Sequence, residues 1–529
     1  MTGDLLIKDA TLIDGSGSQW RRGSVLVDGG RITAVGDLRG ASAGREIDAG
    51  GKVLAPGFID THVHTDMTLL DEPVHECFLR QGVTTVIQGQ DGLSYAPLAP
   101  ANLAMYRRYL AGLNGNARSP ASWESVAQYR AAFDRTVTMN TAYCFPHAAA
   151  RLETVGFQDV PLEGDDLKRA RRLLEVGFEE GAVAFSTGLS YFPNTYGDTD
   201  EHVALCEVAA GAGRPYVTHV RSVFESPVDD WLMAGLEEAV TIGVRSGAPV
   251  HISHFGPKPW RYPTPDIMLR LVAAAREQGA TVTLELYPYP SGNTYLLIYL
   301  PPWAHVGGPD AILELIRSGR ERDRLVREIE GNTIAPFGTT VSYLGSGPDP
   351  RYVGRTLDAI AADWGVPVGE AVLRLLDMED LVVGGREAPP SDRDVLTTHM
   401  DQVLEVLGRG DYMVGSDGIP VAQFPHPRTF GTFPRIVRFA RETGKLPLER
   451  VVEAMTSLPA RTFGLTDRGI LRQGAFADLV LFDPQALEDH ASYDDPIQLS
   501  TGIDGLWVNG EAVIDEGRVT SARPGRAIP

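Results

Sequence analysis

The chain has 529 residues, 43% hydrophobic and 22% charged, an ordinary globular balance with length for more than one structural unit. A formal net charge of −21 argues against nucleic acid or an anionic membrane as partner. No apolar run approaches the ~20 residues that span a bilayer. The opening MTGDLLIKDATLIDG lacks the basic and apolar regions of a secretory leader, and three scattered cysteines (Cys77, Cys144, Cys206) make no disulfide framework, so a cytoplasmic protein is expected.

In chain order, DLLIKDATLID, GSVLVDGGRITAVGD and REIDAGGKVLAPG alternate apolar and polar residues between Gly-containing turns. Residues 1–56 therefore read as a β-meander. From 57 to 460, strand-like runs (TTVIQG, GAVAFS, RPYVTHV, APVHISHF, ATVTLELYPY, YMVGSD) alternate with amphipathic helices such as DDLKRARRLLEVGFEEG and PDIMLRLVAAAREQG. Strands separated by helices run parallel, and at this length a closed α/β barrel of the (β/α)8 TIM type is expected rather than an open sheet. The Pro- and Gly-rich stretch from about 291 to 352 reads as a lid inserted over the barrel mouth. Residues 461–529 return to strands in FADLVLFDP and GIDGLWVNGEAVIDEGRV. Neither end has enough strands to stand alone, so the two are expected to pair into one small β-sandwich domain.

Candidate chemistry collects at strand ends. His62-Val63-His64 closes the strand of LAPGFIDT, and residues two apart on a strand point the same way, so both imidazoles can meet one ion. For an isolated H-x-H, two ordinary surface or core histidines would be the commoner reading; the strand end and the following Asp66 favour a metal here. Three further strand ends carry ligand-type side chains: His219 ends RPYVTHV, His254 ends APVHISHF, and Asp417 ends YMVGSD. Barrel active sites lie at such ends. His251, three residues back from His254, reads as a wall histidine, and His75, His147, His202, His305 and His490 read as structural.

The segments PGFIDTHVHTD, QGVTTVIQGQDG, GLSYFPNTY, THVRS, ISHF, LYPYPSGNT, HPRTFGTFPR and MTSLPARTFGLTDRG run over nearly the whole chain. In these it resembles the N-acyl-D-amino-acid deacylases, the D-aminoacylases of the amidohydrolase superfamily. The resemblance implies zinc, one or two ions, with His62, His64 and Asp417 at a weaker position and His219 and His254 at a tighter one. It also implies a cysteine after the second barrel strand, where this chain has Gln90-Asp91-Gly92. Carboxylate holds zinc less selectively than thiolate but can bridge two ions. Asp91 is therefore expected as a bridging or tight-site ligand in a site open to cobalt or manganese; the alternative is that it only accepts loop hydrogen bonds. Of five lysines (8, 52, 168, 258, 445), only Lys258 follows a strand, and it lies beyond the bridging position, which argues against a carbamylated lysine.

Zinc lowers the pKa of bound water and polarises a carbonyl, and Asp417 is expected to serve as general base and then acid. By resemblance Arg428 in HPR clamps the substrate carboxylate, a task suited to its planar fork. Tyr287 in YPY, Tyr191 in GLSYFP and a shifted Lys258 complete the expected contacts; Tyr289, Asn293 and Tyr295 are candidates to line the lid. The expected reaction is hydrolysis of a small N-acyl-D-amino acid to carboxylate and D-amino acid. Another amide (cyclic, dipeptide-like or a natural-product intermediate) is the alternative, and a metal-free scaffold disagrees with five retained strand-end ligands. An oligomer is left open.

Overall fold

The computed structural model describes residues 1–116, 122–221, 231–331 and 336–529. Eight parallel strands succeed one another around a ring: Phe58–Asp60, Val83–Gln88, Asn140–Pro146, Ala184–Gly188, Tyr216–His219, Val250–Ile252, Val282–Leu286 and Tyr412–Val414. Nearly all of their residues are buried, as strands covered by helices outside and packed inside must be. The last strand meets the first through its backbone: Thr61 N–H donates to Val414 O at 3.4 Å, Asp417 N–H to His62 O at 2.8 Å, and His64 N–H to Gly418 O at 2.9 Å. These bonds close the expected barrel. A separate apolar cluster joins Ile59, Ile87, Cys144, Val217 and Met413 from five strands with Phe463 and Ile528.

The crossover helices form because their apolar residues recur every three or four positions. Pro265–Glu277 buries Met268, Leu269, Val272 and Ala275 on one stripe, starts with a proline whose missing N–H costs nothing in the first turn, and turns its charged residues outward. Thr199–Gly211 is capped by the Asp198 carboxylate, which accepts from Glu201 N–H at 2.8 Å.

Both chain ends enter one nine-stranded sheet. Its two halves meet where Val53–Pro56 pairs antiparallel with Leu479–Phe482, Leu54 opposite Leu481. Alternate residues, including Leu5, Ile7, Val25, Val27, Leu54, Leu479 and Leu481, make its own apolar core. The chain between the seventh and eighth barrel strands runs well past 352. It includes helices Pro309–Arg317, Leu357–Trp364, Val368–Met378 and Arg393–Leu407, and a small sheet of Asn293–Tyr295, Thr340–Leu344 and Val383–Arg386. The return strand Val383–Arg386 lies outside the expected lid because its two glycines, Gly384 and Gly385, hide the strand pattern while leaving room for Tyr343 and Leu296. Among the described residues no helix is long and apolar enough to cross a membrane.

Candidate metal centre and substrate cavity

The strands deliver their polar residues to one mouth of the barrel. His62 and His64 follow the first strand, Asp91 sits in the turn Gln90–Gly92 after the second, His219 ends the fifth, His254 follows the sixth, and Asp417 follows the eighth. Asp91, His254 and Asp417 adopt φ of 56°, 37° and 50°. This left-handed region is costly for residues with a Cβ and is tolerated best by short polar side chains. Surrounding bonds hold it at Asp91. The Asp66 carboxylate accepts from Gly89 N–H at 3.1 Å and Ser94 Oγ at 2.5 Å, and Gly92 N–H donates to Ser186 Oγ at 3.0 Å.

Six side chains converge. Asp91 Oδ2 lies 3.6 Å from His62 Nε2, 3.7 Å from His64 Nε2 and 3.9 Å from His219 Nδ1, while Oδ1 lies 3.8 Å from His254 Nε2. Asp417 Oδ1 stands 3.3 Å from His64 Nε2 and 3.8 Å from His62 Nε2. His219 Nδ1 and His254 Nε2 are 2.8 Å apart. Ligand atoms fall into three groups, each within 4.8 Å: His62–His64–Asp91, Asp91–His219–His254 and His62–His254–Asp417. His62 Nε2 and Asp91 Oδ1 are buried without a hydrogen-bond partner, which an ion between them would supply.

The electrostatics agree with a cation site. Burial holds the His219 imidazole below its ordinary range; burial and the adjoining His219 bring His254 down to about 3. Both rings are thus neutral and keep a lone pair to give. Burial opposes ionisation of Asp91, but the His62 imidazole, which against its own burial is held well above its ordinary pKa by Asp91, Glu285 and Asp417, outweighs it and keeps the carboxylate charged. For Asp417 burial is likewise overcome, by Arg428 and then His62, to about 2.

Glu285, on the seventh strand, touches the cluster although motif reading passed over it. Its Oε1 is 2.5 Å from His62 Nδ1, and its Oε2 accepts from the Thr61 hydroxyl and lies 3.1 Å from His251 Nε2. Glu285 thus fixes the ring with Nε2 toward Asp91; burial works against a charge there, but Asp91, Glu285 and Asp417 raise the His62 pKa well above its ordinary value, so Nε2 must give up a proton to take an ion. The signal was present: in TLELYPY, a carboxylate between leucines on a strand faces the barrel interior.

A cavity of about 530 Å³ opens above His219, His254 and Asp417, walled by Tyr191, Lys258, Tyr287, Tyr289, Asn293 and Arg428. Arg428, 1% exposed, begins the helix Arg428–Thr443. Its Nη1 is 2.9 Å from Asp417 Oδ2, its Nη2 donates to Asn293 O at 3.1 Å, and its guanidinium lies 4.5 Å over the Tyr287 ring. The Tyr191 ring stands 4.9 Å from His219 and stacks on Tyr295, its hydroxyl 3.2 Å from Thr294 Oγ1. Lys258 reaches the cavity wall, its Nζ 5.9 Å from the Trp260 ring, and burial lowers its pKa. His147, by contrast, lies 2.7 Å from the buried Glu201 away from the cluster, and burial holds its imidazole below its ordinary range.

The amidohydrolase family profile matches residues 45–156 and 388–514. Across 99% of this chain and 96% of the relative, 34% of residues are identical to an N-acyl-D-glutamate deacylase of Alcaligenes xylosoxydans xylosoxydans. The D-aminoacylase of the same organism matches at 34% identity over 99% and 97%. The chain belongs to the D-aminoacylase branch of the amidohydrolase family. Its backbone superposes on the crystal structure of N-acyl-D-glutamate deacylase from Bordetella bronchiseptica, complexed with zinc and a phosphonate mimic of the tetrahedral intermediate, with a TM-score of 0.80 at 32% identity over the full length of both. Within this D-aminoacylase branch, Asp91 occupies the turn where resemblance led to the expectation of cysteine.

Proposed function

We propose that the protein hydrolyses N-acyl-D-amino acids to a carboxylate and the free D-amino acid, with zinc as its metal. The observation that carries this reading is the convergence of His62, His64, Asp91, His219, His254 and Asp417 beneath a cavity that also presents Arg428. His62, His64 and Asp417 would hold one ion and His219 and His254 the other, with Asp91 between them. Zinc held there lowers the pKa of a water molecule and polarises the scissile carbonyl.

The chain's own groups do the rest. Asp417 accepts the water's proton and hands it to the leaving nitrogen as the C–N bond breaks. Arg428 takes the α-carboxylate through the N–H groups that its contacts with Asp417 and Asn293 leave over, with Tyr287 beneath the guanidinium holding it flat. Lys258 adds a second positive charge at the carboxylate end, and Tyr191 bounds the pocket above His219. The D-preference rests on the relatives, which are named for D-substrates. Residues 57–460 carry the chemistry, and 1–56 with most of 461–529 supply the β-domain, while the last strand, Ala527–Ile528, pairs with the barrel strand Asn140–Pro146. Three buried free thiols suit a reducing, cytoplasmic setting.

The test is release of amino acid from N-acetyl-D- and N-acetyl-L-amino acids by zinc-loaded protein, with Asp417→Asn as control. D-selective release that Asp417→Asn abolishes is expected. Equal rates on both series would remove the stereochemical claim, and release unaffected by Asp417→Asn would remove the assigned base.

A further inference from the structure

Between the terminal-sheet strands Leu479–Phe482 and Ile503–Val508 the chain leaves its own sheet and lies along the barrel helix Arg428–Thr443. It is fastened there along its length. Arg441 pairs with Glu488 at 2.7 Å, Arg438 and Arg435 with Asp489 at 2.8 and 3.2 Å, and Ser500 Oγ donates to Phe430 O at 2.7 Å. Gly431 permits the approach: a Cβ there would stand 2.8 Å from the Tyr289 hydroxyl and 3.0 Å from Asp489 Cβ.

The strap brings Tyr493 against Ser291, which lines the cavity. Its hydroxyl is 2.8 Å from Ser291 Oγ and 3.1 Å from His426 Nε2, and Ser291 Oγ is itself 3.2 Å from that nitrogen. His426, fully buried, accepts the backbone N–H of Arg428 on Nδ1 at 3.1 Å. Burial and then the cations Arg428, Arg386 and Arg435 keep the imidazole neutral. With Nδ1 accepting, the single ring proton sits on Nε2 and needs an acceptor; Tyr493 and Ser291 provide it. The knot therefore joins three segments far apart in sequence. Two of them grip Arg428: His426 holds its backbone, and the loop of Ser291 holds its guanidinium through Asn293 O at 3.1 Å.

We propose that Tyr493, delivered by the C-terminal strap, is a positioning residue for the substrate-carboxylate clamp, acting through His426 and Ser291 on Arg428. This rests on the reading of Arg428 given under Proposed function. It makes the β-domain part of substrate recognition, although Tyr493 meets neither the metal ligands nor the reacting bond.

The test compares Tyr493→Phe, Ser291→Ala, the double variant and Arg428→Gln in the zinc-loaded protein. Each is assayed on an N-acetyl-D-amino acid and on the same compound with a carboxamide in place of its carboxylate. Loss of one neutral acceptor is expected to raise KM for the acid about three- to tenfold, with kcat and bound zinc unchanged. The preference for acid over carboxamide falls in step, and the double variant falls further. An unchanged KM in the double variant, or equal losses on both compounds, overturns the proposal. If Arg428→Gln raises KM while the double variant does not, only the role of Tyr493 is lost. If Arg428→Gln leaves KM unchanged, the clamp itself is refuted and Tyr493 with it.

Discussion

A carboxylate at position 91 can face two cations because its oxygens diverge: Oδ2 looks toward His62, His64 and His219, and Oδ1 toward His254. Asp91→Ala is therefore expected to lower the zinc retained per chain after dialysis, measured by atomic emission. Unchanged zinc would leave Asp91 as a loop residue only. Glu285 acts one shell further out. Glu285→Gln removes the charge that secures the His62 Nδ1 proton, and zinc affinity is expected to fall about 10- to 100-fold, as outer-shell partners of ligating histidines generally show. Chelator competition measures it; an unaltered affinity would mean that packing alone orients His62. These two residues differ in how far they could be read beforehand. Asp91 stands in a recognisable motif, whereas Glu285 is marked only by strand alternation, a pattern many buried carboxylates share.

At the scale of an element, the turn after the second strand must place a left-handed Asp91 between two histidine pairs. Gly92, at φ 63°, makes that turn affordable: a Cβ there would lie 2.5 Å from Asn194 Oδ1 and 3.0 Å from Ser186 O. Left-handed backbone alone costs a side chain about 1–2 kcal/mol, and the collision adds to it. In Gly92→Ala the turn is expected to shift, so that bound zinc and turnover fall together while far-ultraviolet circular dichroism stays as in the parent. Normal zinc and normal rate would show that the turn relaxes without moving Asp91. The long excursion before the eighth strand teaches a related lesson. Its Pro and Gly content points to a lid from about 291, but its far boundary depends on Val383–Arg386 returning to pair with Thr340–Leu344.

At the scale of the whole molecule, terminal sheet and barrel share a buried polar joint. Asp478 Oδ2 pairs with Arg468 and accepts from Asn140 Nδ2 at 3.2 Å, while its Oδ1 accepts from Asn509 N–H at 2.7 Å. Arg468 and Asp478 side chains are 4% and 3% exposed. Asp478→Ala leaves that guanidinium buried and uncompensated, and a loss of about 3–5 kcal/mol in unfolding free energy is expected by denaturant titration. A loss under 1 kcal/mol would mean that water reaches Arg468. The sequence alone determined the alternating strands and helices, and hence the barrel and its ring of strand-end histidines, because a period of two or of 3.6 is a local property of the backbone. It also determined that the two chain ends must combine, since each is too short to bury a face. Only the tertiary structure decided that Arg428 would rest against Asp417, that Glu285 would hold His62, and that Tyr493 would close a knot with Ser291 and His426. Each of those contacts joins residues more than sixty positions apart or on different elements, so it exists only once those elements have docked, and no local pattern records it.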